Sequence, residues 1–142
     1  MSNKVLMVVL LALVLALAAC GGGRSAAPAA EPTVPAPVGD AAAGEALFNS
    51  ATIGDNSAPG CVTCHSLEEG VVIVGPSQAG LAARAGQRVA GESADEYLRN
   101  SILHPNDYVV DGFAEGLMYQ YYADDLTPEQ IDDLVAYLET LK

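Results

Sequence analysis

Cys61-Val62-Thr63-Cys64-His65 decides how the rest of this chain is read. Two thiols with two residues between them, followed at once by an imidazole, admit three chemistries: a redox dithiol, half of a zinc site, or covalent attachment of a haem. A redox pair of the thioredoxin kind sits in a βαβ context, and the chain has no alternating strand pattern of useful length. A zinc site needs further ligands, and once Cys20 is assigned as below, His104 is the only other cysteine or histidine left. Haem attachment uses all three residues: the thiols add to the haem vinyl groups, and His65 becomes the proximal iron ligand. The cofactor expected is one covalently bound haem c.

Upstream of the motif the chain changes character twice. Ser2 to Lys4 are short, polar and carry one positive charge, and Val5 to Ala19 form an unbroken apolar run. At about 15 residues the run is shorter than the roughly 20 that a spanning helix needs, and it fits the hydrophobic region of a secretory signal. It ends Leu17-Ala18-Ala19-Cys20, which resembles the lipobox of bacterial lipoproteins. The resemblance implies that Cys20 becomes a lipid-modified N-terminus; the alternative is an ordinary signal peptide with Cys20 incidental. Acyl chains would hold the protein to one leaflet without crossing it. Gly21 to Gly39 is rich in Gly, Ala and Pro, including Pro28, Pro32, Pro35 and Pro37, and lacks the apolar content to fold, so it reads as a tether. The expected organisation is residues 1–19 signal peptide, 20–39 lipid-anchored tether and 40–142 one folded domain. The expected location is the periplasmic or outer face of the cytoplasmic membrane. Cys20, Cys61 and Cys64 are then all assigned, leaving no cysteine for a disulfide.

The 142-residue chain has a formal charge of −12, and loss of residues 1–19 removes Lys4 and no acid, giving −13. Such a field excludes nucleic acid as a partner and favours a basic or weakly charged docking surface; solubility alone is the other reading.

Three helices are legible in the domain. Asp40 caps a first helix that runs to about Ser50, with Ala43, Leu47 and Phe48 inward and a Gly44 that suits close approach of another backbone. Ser93-x-x-Glu96 is a capping box, and Tyr97, Leu98, Ile102 and Leu103 share an apolar face until His104-Pro105 ends the helix. Thr127, Pro128 and Gln130 start the last helix, with Ile131, Leu134, Val135, Leu138 and Leu141 on one stripe and Asp132, Asp133 and Glu139 in water. Val71 to Val74 reads as at most a short extended piece. A domain this small has a thin core, and the haem is expected to supply the missing apolar mass.

From Asp40 to Lys142 the order of first helix, Cys61-Val62-Thr63-Cys64-His65, Gly75-Pro76 turn, middle helix, methionine loop and final helix resembles the class I cytochromes c. The resemblance implies an all-α fold, three or more helices and long loops wrapped around one haem, with crossed N- and C-terminal helices. It implies that the Pro76 carbonyl accepts a hydrogen bond from His65, and that Gly44 and Phe48 meet Tyr137 across the helix crossing. The residues alone leave Met118 and His104 as candidates for the sixth iron ligand; the resemblance points to Met118, nine residues before Thr127. His104 instead suits a helix C-terminus. Arg84 and Arg88 are candidates for holding the haem propionates or are solvated surface arginines. Proline commonly follows the ligand in that family, whereas Tyr119 follows Met118 here, which leaves open what gives the loop its shape.

A haem closed on both sides by axial ligands implies electron transfer rather than catalysis, with a peroxidase-like enzyme as a remote alternative. The run Ser101 to Val110, followed by Gly116-Leu117-Met118, is similar to mono-haem lipoprotein subunits of the quinol-oxidising assembly called alternative complex III. The expected partners are such a membrane complex and a downstream acceptor. The alternative is a tethered mobile shuttle to a terminal oxidase or photosynthetic reaction centre.

Overall fold

The computed structural model describes residues 39–142. The signal segment, Cys20 and all of the tether but Gly39 lie outside the described residues. Among the described residues no helix is long and apolar enough to cross a membrane.

Helix α1, Ala41–Asn49, begins where the Asp40 carboxylate accepts the otherwise unpaired N–H groups of Ala42 and Ala43, at 2.8 and 3.4 Å. It buries Gly44 and Phe48, while Leu47 is only half-buried. A two-residue ladder follows, β1 (Thr52–Ile53) antiparallel to β2 (Ala58–Pro59), in register Thr52 to Pro59 and Ile53 to Ala58. The Cys61–Thr63 segment is a single 3₁₀ turn. Then come α2 (Leu81–Ala85), α3 (Ala94–Leu103), α4 (Tyr122–Asp125) and α5 (Pro128–Leu138). Both expected capping boxes form, Ser93 with Glu96 and Thr127 with Gln130.

The core lies where α1 packs on α5. Phe48, Leu134 and Val135 are each 1 % exposed, and the Phe48 and Tyr137 rings meet at 5.4 Å between centroids with a 58° tilt. Gly44 makes this approach possible: a Cβ there would run into the Asp133 carbonyl oxygen and come within 2.8 Å of Tyr137 Cβ. The pairing of Gly44 and Phe48 with Tyr137 is therefore present as expected.

Three expectations need correction. Asp132 and Asp133 are not left in water: Asp132 pairs with Arg99 at 2.7 Å, tying α5 to α3, and Asp133 accepts the Asp40 N–H at 2.7 Å, tying α5 to the start of α1. Glu139 is half-buried, and that burial raises its carboxyl pKa. The short elements α2, α4 and the β1–β2 ladder were not anticipated, because none is long enough to show a repeating pattern.

Candidate functional site

The attachment motif is held from both sides. Gly60 N–H donates to Ala51 at 2.9 Å, which fixes the chain entering the motif, and His65 N–H donates back to Cys61 at 2.9 Å, which closes the turn. On the far side, Val74 and Gly75 N–H groups both donate to the Cys64 carbonyl, at 3.1 and 2.9 Å. The Val71 to Val74 piece thus folds back beneath the motif, with a bridge from Val72 to His65.

This places the Cys61 and Cys64 side chains at the wall of a cleft of about 1000 Å³, open solvent at its mouth included. His65, Gln78, Met118 and apolar side chains from α1, α2, α3 and α5 complete the wall. A neighbouring recess shares Cys61, Cys64, His65 and Gly116 to Met118. Among the described residues no carboxylate, lysine or arginine lines the main cleft, and His65 is its only histidine.

His65 Nδ1 lies 2.8 Å from the Pro76 carbonyl oxygen. Burial lowers the imidazole pKa, only partly offset by that carbonyl, so the ring is neutral at neutral pH and able to bind a metal through Nε2. The ring is also wedged: a Cβ at Gly75 would come 2.5 Å from its Cε1 and 2.9 Å from its Nδ1. Burial, with Cys64 adding to it, pushes the Cys61 thiol up to about 11, so the unmodified group is protonated rather than a reactive thiolate.

The structure adds one neighbour that the sequence reading missed. Gln78 Nε2 lies 2.8 Å from His65 Nδ1 and 3.4 Å from the Pro76 oxygen. With Nδ1–H donating to Pro76, the amide pairs with it only by presenting its oxygen, a half-turn away. No motif marks a glutamine in this role; its placement two residues after Pro76 was the only signal.

Met118 is half-buried and lines both recesses, whereas His104 is exposed, outside both linings, and serves as the C-cap of α3 through its N–H to Asn100 at 2.7 Å. Arg84 and Arg88, the candidates for propionate contacts, line neither recess. Arg84 is spent on the loop itself, donating to the Ala79 and Ser77 carbonyls, the latter at 2.6 Å. Arg88 Nε is buried without a partner among the described residues.

Two thiols, a neutral imidazole and a thioether around a mostly apolar cleft fit a covalently bound haem, which when bound supplies a one-electron iron couple. The family model for cytochrome c matches residues 41–142. None of the curated proteins matches the sequence significantly. The cofactor is covalently bound haem c, for which Cys61 and Cys64 fit the attachment motif, the fold is the small all-α one expected, and electron transfer is the corresponding role. By that match over most of its length, the chain belongs to the cytochrome c family.

Proposed function

We propose that the protein is a lipid-anchored, mono-haem electron carrier whose iron takes His65 and Met118 as axial ligands, working as a subunit of a quinol-oxidising membrane complex of the alternative complex III type. The observation that carries the reading is the composition of the cleft: both thiols, one imidazole and one thioether, with no carboxylate, lysine or arginine in its described lining to serve an acid or base step. Thioether ligation favours ferrous iron, so a His/Met pair raises the potential and suits the oxidising end of an electron-transfer chain. Pro76 and Gln78 orient His65, and Gly75 limits its tilt.

Anchoring rests on the sequence Leu17-Ala18-Ala19-Cys20. Membership of a fixed assembly is supported by the similarity of Ser101 to Val110 and Gly116 to Met118 to mono-haem subunits and by Leu67 and Val71 to Ile73. These four aliphatic side chains are 39 to 58 % exposed on a backbone held by hydrogen bonds. An apolar run kept rigid and outward is a surface that a permanent neighbour would cover.

Mild detergent extraction of native membranes, followed by native electrophoresis and haem staining, tests this. The expected result is haem from this chain migrating in a large multi-haem assembly. A small free band would replace the subunit by a tethered shuttle, and an intact N-terminus with a free Cys20 thiol would remove the lipid anchor.

A further inference from the structure

The residue after Met118 is Tyr119, not the proline expected from the resemblance, so a different device must fix this loop. Tyr119 Oη donates to Asp125 Oδ2 at 2.6 Å, and Asn56 Nδ2 donates to Asp125 Oδ1, also at 2.6 Å. Asp125 is only 7 % exposed, the one buried charged side chain among the described residues, and the two donors hold its carboxyl below the usual carboxylate range.

Asn56 belongs to the turn between β1 and β2, which leads directly into Cys61. Two further bonds staple the same surfaces: Asp55 N–H donates to the Asp125 carbonyl at 3.3 Å, and Tyr122 Oη donates to the Pro59 carbonyl at 2.6 Å. The Tyr119 ring stacks edge-on against Tyr122 at 5.0 Å, so its hydroxyl is aimed as well as bonded.

We propose that Asn56, Asp125 and Tyr119 form a latch that fastens the Met118 loop to the turn preceding the attachment motif, and so holds the thioether in place over the iron. This rests on Met118 being the axial ligand. The three are positioning residues: none lies within the ligand set, and Asn56 and Asp125 act on Met118 only through Tyr119, its neighbour in the chain. Asn56 stands 69 residues from Asp125, so the latch couples the start of the attachment segment to the far end of the domain.

The test compares holoprotein variants Tyr119→Phe and Asn56→Ala with wild type. The two readouts are the far-red charge-transfer band of the ferric state and the rate at which saturating imidazole displaces the native sixth ligand. Ser93→Ala, which weakens the α3 cap away from the loop, controls for general destabilisation. The expected result is displacement about tenfold or more faster in both latch variants, the size of a lost hydrogen bond to a charged group, and unchanged in Ser93→Ala. Wild-type rates in both latch variants, or equal acceleration in Ser93→Ala, overturn the latch while leaving the ligand assignment intact. A wild-type protein without the far-red band overturns the Met118 reading instead, and the latch with it.

Discussion

Replacing Gly44 by alanine sets two effects of opposite sign against each other. In a helix interior the exchange is favourable by about 1 kcal/mol from propensity alone. Against this, the new methyl carbon would run into the Asp133 carbonyl oxygen, lie 2.5 Å from the carbonyl carbon and 2.8 Å from Tyr137 Cβ. Overpacking costs about 1–3 kcal/mol, and the top of that range, about 3, applies because backbone atoms cannot rotate aside. The net loss is then about 2 kcal/mol, and at about 4–8 °C per kcal/mol for a domain of this size the melting temperature falls by roughly 8–16 °C. Thermal unfolding of the holoprotein, followed by far-ultraviolet circular dichroism, measures this directly. An unchanged or raised melting temperature would show that propensity wins and that α1 and α5 do not meet as closely as Gly44 implies.

Met118→Ala abolishes the far-red charge-transfer band of the oxidised protein; its persistence would transfer the sixth-ligand role elsewhere. With its amide oxygen turned to Nδ1–H, Gln78 strengthens the imidazole as a donor to ferric iron, so Gln78→Leu raises the midpoint potential by on the order of tens of millivolts in a redox titration. An unchanged potential would make Gln78 a bystander. Asp125 has a folded-state pKa below its unfolded value, so its contribution to stability is present above the usual carboxylate range and disappears as pH falls through the lowered value. The melting-temperature gap between wild type and Asp125→Asn is therefore widest at neutral pH and closes well below about pH 4; a gap independent of pH would contradict this.

Much of the molecule was legible because its signals are local. The attachment motif, the two capping boxes and the Pro76 turn each declare themselves within a few consecutive residues. Helices α2 and α4 could not be read the same way: five and four residues are too few to repeat an apolar face. The polar contacts that organise the site were hidden for a different reason. Asn56, Tyr119 and Asp125 look like loop residues until tertiary structure brings them together, and Gln78 has the same composition whether it faces water or His65. Arg84 offered no local sign of its contacts either: its guanidinium reaches inward to two carbonyls.

The 2.7 Å bond from Asp40 N–H to Asp133 has a mechanical meaning. Asp40 is both the cap of α1 and the point at which that cap is bonded to a distant element, α5. Because α1 contributes Phe48 and α5 contributes Leu138 to the wall that carries the thiols, this one bond also sets two sides of the cleft against each other. The N-terminal end of the domain and the redox centre are thereby registered on the same pair of helices.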